Sequence, residues 1–135
     1  MASLTRQIYD PKTTPPAMGP YSKAVRVNDT VYLAGVIGMD PSTNKLSPGG
    51  ITAETHQALK NMGEVLKEAG ISYENVVKTT VLLADIQDFG AMNEVYKQYF
   101  KSRFPARACF QVARHYGDAR VGIEAIAVVG DIQDV

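Results

Sequence analysis

Residues 121–129, Val-Gly-Ile-Glu-Ala-Ile-Ala-Val-Val, constrain this 135-residue chain more than any other segment. Side chains alternate across a strand, so Val121, Ile123, Ala125, Ala127 and Val129 share one face. Ile126 and Val128 share the other face with Glu124. A strand apolar on both sides needs cover on both sides. The rest of the sequence offers two amphipathic helices, enough for one face of one sheet, so the other face is expected to meet another subunit. The pattern predicts a homo-oligomer and leaves its number open.

The helices are readable from their spacing. Thr55, Ala58, Leu59, Met62, Val65, Leu66 and Ala69 recur on one stripe, with Thr52 as the expected cap and Gly70 as the stop. Asp85 is expected to cap a second helix that carries Phe89, Met92, Val95, Tyr96, Tyr99 and Phe100 on one side, with Pro105 past its end. Strands read at residues 24–27 and 30–34, a hairpin split by Asn28-Asp29, and at 76–83, 107–113 and 121–129. Residues 11–20 and 40–50 read as loops rich in proline and turn formers. The order ββαβαββ describes one α+β domain over residues 1–135, with both helices on one sheet face.

Composition removes several function classes. Fourteen Lys and Arg balance fourteen Asp and Glu, so no net field draws the chain onto nucleic acid or an anionic membrane. Cys109 stands alone, which forbids an internal disulfide and suits a reducing compartment. No run approaches the roughly 18 apolar residues of a membrane span, and residues 1–10 lack the apolar core of a secretory signal. The expected address is cytoplasmic, with a mitochondrial or nuclear fraction left open. GxGxxG, GxxxxGK[ST] and GxSxG are all missing, so nucleotide loops and a serine elbow have no sequence support. Two histidines and one cysteine without close ligand spacing predict no metal site.

Arg107 and Glu124 are the unusual residues, each a lone charge in an apolar strand. Burying either without a partner is costly. One reading pairs them with each other or points Arg107 to solvent from an edge. The sharper one has the guanidinium fork grip a ligand carboxylate while Glu124 handles a proton or orients a water. Arg107, Cys109 and Gln111 share one face of their strand, and Ala108, Phe110 and Val112 on the other look like core. Cys109 reads as a small buried hydrophobe ahead of a nucleophile, and His56 as a helix-surface residue. Tyr21, after the rigid Gly19-Pro20, is either a loop aromatic or a pocket wall. Asn93 interrupts the second helix's apolar stripe and needs a partner, in a neighbouring backbone or a ligand.

Gly19-Pro20-Tyr21-Ser22-Lys23-Ala24, Ala34-Gly35 with Ile37-Gly38, and Gln57-Ala58-Leu59-Lys60-Asn61-Met62 resemble the RidA family, also called YjgF/UK114. So do Val77-Lys78-Thr79-Thr80-Val81, Asn93-Glu94-Val95-Tyr96, Pro105-Ala106-Arg107-Ala108 and Ile123-Glu124-Ala125, in order along nearly the whole chain. The resemblance implies a chorismate-mutase-like, ferredoxin-like-related fold: a mixed six-stranded sheet with two helices on one face, assembled as a homotrimer with pockets between subunits. It implies hydrolysis of 2-iminobutanoate and 2-iminopropanoate, products of threonine and serine dehydratases, to 2-oxobutanoate or pyruvate plus ammonia, with no metal or organic cofactor. Matched by residue, Arg107 binds the substrate carboxylate and Glu124 positions or activates the water. Tyr21, Gly35, Asn93 and Cys109 line the pocket, some from the neighbouring subunit. The chain departs from the family pattern at Val36, at His115-Tyr116-Gly117-Asp118, and at Gly122, where an acidic residue is frequent.

Two other functions compete. Animal relatives are described as ribonucleases that inhibit translation, but zero net charge, no aromatic-basic stripe and no histidine pair argue against single-stranded RNA as a partner. A non-catalytic carboxylate-binding or chaperone-like oligomer would use the same pocket without turnover.

Overall fold

The six main strands lie side by side in the order Arg6–Tyr9, Ala24–Val27, Thr30–Ile37, Val121–Val128, Val76–Leu83, Ala106–Gln111. Residues 3–135 are described by the structure, a computed structural model. Strands β1 (Arg6–Tyr9), β2 (Ala24–Val27), β3 (Thr30–Ile37), β6 (Val76–Leu83), β7 (Ala106–Gln111) and β8 (Val121–Val128) build the sheet, and helices α1 (Gly50–Glu68) and α2 (Phe89–Tyr96) pack on it. Only β6 and β7 run parallel, so the sheet is mixed. The class is α+β, as the alternating pattern requires.

β8 lies inside the sheet between β3 and β6. Its Val121, Ile123, Ala125 and Ala127 are buried against the α1 stripe, of which Thr55, Ala58, Leu59, Met62, Val65 and Leu66 are buried as well. The helices cover this face alone. On the other, Tyr32, Val77 and Phe110 are exposed, and Ile126 and Val128 are only half-buried. Within one chain, the second apolar face of β8 therefore stays open, as the alternation anticipates.

Several details differ from the sequence reading. β1 has no periodic signal because three of its four residues are exposed; its register with β2, from Arg6 opposite Val27 to Tyr9 opposite Ala24, holds it. Residues 40–50 are not all loop: β4 (Met39–Asp40) and β5 (Lys45–Leu46) form a short antiparallel ladder. α1 starts two residues before Thr52, after Gly49 at φ 121°, a conformation that favours glycine. Asp85 caps a 3₁₀ turn instead of α2, its carboxylate accepting the Gln87 N–H at 2.9 Å. α2 proper ends at Tyr96; tight turns carry the chain on to Phe100, which stays buried.

The largest correction concerns β7. The face carrying Ala108 and Phe110 is not core. Parallel register sets Arg107 beside Thr79 and Cys109 beside Val81, and Thr79 and Val81 are buried under the helices. Arg107 and Cys109 therefore face the helix layer, and Phe110 faces the open side. An edge strand takes its orientation from its neighbour's register, which local composition does not encode.

Gly38 is fixed by close approach: a Cβ there would collide with the Glu54 backbone of α1. Gly38→Ala is expected to lower stability by about 1–3 kcal/mol in urea unfolding, since backbone and not a flexible tip must give way. Gly90→Ala, in a helix with open space around its Cβ, is expected to raise stability by about 0.5–1 kcal/mol in the same assay.

Candidate functional site

Arg107 reaches from β7 to α2. Its Nη1 donates to Asn93 Oδ1 at 2.8 Å, and its Cζ lies 4.8 Å from the Tyr96 ring centroid and 5.6 Å from that of Phe89. Phe89, Asn93 and Tyr96 are spaced by one and two helical turns, so a single α2 face supplies all three contacts. Tyr96 is held in turn by Thr79, hydroxyl to hydroxyl at 2.8 Å in the core. None of the ion pairs among the described residues involves Arg107. A guanidinium has five N–H donors, and Asn93 takes one. The rest of the fork is available to an anion.

Cys109 lies two residues along on the same face, half-buried at the rim of the core. Burial pushes its thiol up from the ordinary value, and the Arg107 charge opposes this with smaller effect. The thiol is thus protonated at neutral pH, which fits the packing role over the nucleophile.

Glu124 lies elsewhere. It is exposed, and its partner Thr80 sits one residue beyond the buried Thr79, so it projects from the open face while Arg107 projects from the helix face. The sheet separates the two charges, and the mutual pairing weighed from sequence does not form. Gly35 does stand beside Glu124. β3 pairs Leu33 with Ala125 and Val36 with Ile123, so Ala34 and Gly35 together oppose Glu124 in a β-bulge. Tyr21 is exposed and its hydroxyl accepts the Met18 N–H at 3.2 Å. Tyr21, Gly35, Val36 and Tyr116 share the wall of a cavity of about 260 Å³.

Within one chain the candidate residues thus fall into two groups: Arg107, Asn93 and Cys109 on or beside α2, and Gly35, which shares a cavity wall with Tyr21 and opposes Glu124 in the β3 bulge. Sequence reasoning missed Phe89 and Tyr96 as partners of Arg107 because both sit on a stripe that reads as core. Their signal was spacing, since they bracket the interrupting Asn93 at helical intervals. His56 is not a free surface residue either; its Nδ1 lies 2.9 Å from the Tyr99 hydroxyl. Among the described residues, no three His, Cys, Asp or Glu side chains cluster as metal ligands, and no helix is long and apolar enough to cross a membrane. Because burial raises the Cys109 thiol and Arg107 lowers it, iodoacetamide is expected to label Cys109 slowly at pH 7 and faster as pH rises, and Arg107→Ala to slow labelling further. Mass spectrometry of the labelled peptide reads this directly; labelling at the rate of free cysteine at pH 7 contradicts it.

The endoribonuclease L-PSP family model matches residues 11–129. The chain is 57% identical to human 2-iminobutanoate/2-iminopropanoate deaminase over 132 residues, 98% of this chain and 96% of that protein. The mouse protein of the same name is 55% identical over 130 residues, 96% of each chain. Among solved structures, Escherichia coli TdcF with bound serine superposes with a TM-score of 0.87 at 35% identity, covering 92% of this chain and 99% of that one. With the family model spanning most of the sequence and relatives this similar along nearly its full length, the chain belongs to the endoribonuclease L-PSP family, the group its motifs resemble under the name RidA.

Proposed function

We propose that the chain hydrolyses small 2-imino acids, 2-iminobutanoate and 2-iminopropanoate, to the 2-oxo acid and ammonia, in a homotrimer whose sites are completed across subunit boundaries. The observation that carries this is Arg107: a guanidinium with no carboxylate partner among the described residues, aimed by Asn93 and backed by two aromatic rings. Such a fork takes a carboxylate in bidentate fashion. Relatives named for this activity, and a solved relative with bound serine, support a small carboxylate ligand.

On this reading, Arg107 holds the carboxylate and thereby places the adjacent C=N carbon. Glu124, with Gly35 opposite it in the β3 bulge, comes from a neighbouring copy, because within one chain Glu124 projects from the sheet face opposite to Arg107. The open apolar face supplies the contact that brings a second copy there. Glu124 orients water toward the carbon and accepts a proton as the C–O bond forms and the C=N π pair moves to nitrogen. Returning that proton to nitrogen gives the carbinolamine; its hydroxyl proton then passes to nitrogen by way of Glu124, the oxygen pair forms C=O, the C–N bond breaks and ammonia leaves. No metal or organic cofactor takes part.

The test generates the imine in situ with a dehydratase and traps what remains with semicarbazide. Wild type is expected to lower the trapped adduct. Arg107→Ala is expected to lose about 10²–10⁴-fold in kcat/KM while keeping its circular dichroism, the loss of two charge-assisted hydrogen bonds. Full activity in Arg107→Ala overturns the assignment. Binding of 2-oxobutanoate without turnover turns the pocket into a carboxylate sensor instead. Sedimentation is expected to give three copies per particle, and an active monomer contradicts the shared site.

A further inference from the structure

Thr79 sits in the middle of β6 with no exposure, between Arg107 of β7 on one side and Ala125 of β8 on the other. Adjacent strands lie about 4.8 Å apart, so Thr79 and Arg107 stand side by side under the helices. The other buried residues of β6, Val76, Val81 and Leu83, are apolar. The Thr79 hydroxyl meets a second one, from Tyr96 of α2, at 2.8 Å. Each is the other's only hydrogen-bond partner among the described residues.

Stability alone does not require this pair. Two buried hydroxyls that bond each other roughly recover their desolvation, and valine with phenylalanine would fill the same space at little difference. What the pair adds is direction. Apolar packing is non-directional, whereas a hydrogen bond has a preferred length and angle, so it fixes the tip of the Tyr96 side chain. Phe100 packs on the same ring, with 4.5 Å between centroids. The guanidinium carbon of Arg107 lies 4.8 Å from the Tyr96 ring centroid. The strand neighbour of Arg107 thus fixes the ring against which the head group of Arg107 rests.

We infer that Thr79 is a positioning residue for the carboxylate grip: through the Tyr96 hydroxyl it sets where the aromatic face stands, and that face sets where the Arg107 fork points. This rests on the reading of Arg107 as the holder of a carboxylate. Thr79 touches no ligand itself, since its full burial keeps it out of reach. Removing its hydroxyl leaves the Tyr96 O–H buried without a partner, and the ring shifts until that hydroxyl reaches water. The guanidinium then keeps Asn93 and Phe89 and loses its nearer ring. A carboxylate is gripped alike before and during the reaction, so the loss falls on KM and leaves kcat.

The experiment measures 2-oxobutanoate affinity by calorimetry, and KM and kcat in the semicarbazide-trap assay. It compares wild type, Thr79→Val, Thr79→Ser, Tyr96→Phe and the Thr79→Val/Tyr96→Phe double variant, with urea unfolding as the measure of stability. Thr79→Val is expected to bind 2-oxobutanoate about fivefold more weakly and to raise KM by the same factor at unchanged kcat, the effect of one cation–π contact. Thr79→Ser, which keeps the hydroxyl, is expected to bind as wild type does. Tyr96→Phe removes the same bond from its other end while keeping the ring, and is expected to lose about threefold in affinity; it decides the question if Thr79→Val does not fold. In the Tyr96→Phe background Thr79→Val is expected to add no further loss, because the hydroxyl it acts through is gone. A threonine that only supports the core would lower the urea midpoint and leave the affinity of the folded protein alone, and that result overturns this inference alone. A fall in kcat at unchanged KM, or fully additive losses in the double variant, overturns it as well. A wild type that neither binds 2-oxobutanoate nor lowers the trapped imine overturns the carboxylate reading and this inference together.

Discussion

Burial of one face of β8 against α1 is the contact on which the rest of the structure depends. Val121, Ile123, Ala125 and Ala127 meet the Leu59–Met62–Leu66 side of the helix with almost no exposure. Each large side chain removed from water is worth about 1.5–3 kcal/mol, so neighbouring strands adjust to keep their own apolar residues on that side. β3 does so by bulging. Strict alternation after Leu33 would turn Val36 outward; the extra residue at Ala34-Gly35 restores Val36 to the core and leaves Gly35 beside Glu124. β6 shifts register between Val76 and Lys78, so that Val76 and Thr79, three residues apart, are both buried. A packing demand thus produces the local irregularity that sets Gly35 beside Glu124.

The placement of Arg107 rests on a balance of weak contacts. Arg107 is half-buried with no anion beside it, and the faces of Tyr96 and Phe89 with one Asn93 hydrogen bond hold it in place. Cation–π contacts of this kind give about 0.5–2 kcal/mol each, enough to aim a guanidinium without occupying its donors. A charge-assisted bond to a carboxylate gives more, about 1.5–3 kcal/mol. The guanidinium is therefore held in place while most of its donors stay free. An Asp or Glu in place of Asn93 would have paired with it.

Much of this was legible before any coordinates. The α1 stripe and the two-faced β8 follow from period alone, because 3.6-residue and 2-residue repeats are properties of single elements. Arg107 and Glu124 stood out because a lone charge in an apolar strand requires an explanation. What misled was β7. Its Ala108-Phe110-Val112 face is the more apolar one, yet the parallel register with β6 turns Arg107 and Cys109 toward the helices. β1, with three exposed residues, left no pattern at all.

The sequence by itself determined the α+β class, the helix faces, the open apolar face and the residues able to do chemistry, because each rests on spacing within one element or on the charge of one side chain. Only the tertiary structure decided which of those residues meet. Strand register and the β3 bulge divide Arg107 and Glu124 between opposite faces of the sheet, and the contact between His115 and Gly122 joins a loop to a strand. These pairings depend on hydrogen-bond ladders and excluded volume between segments far apart in the chain, and no local pattern records them.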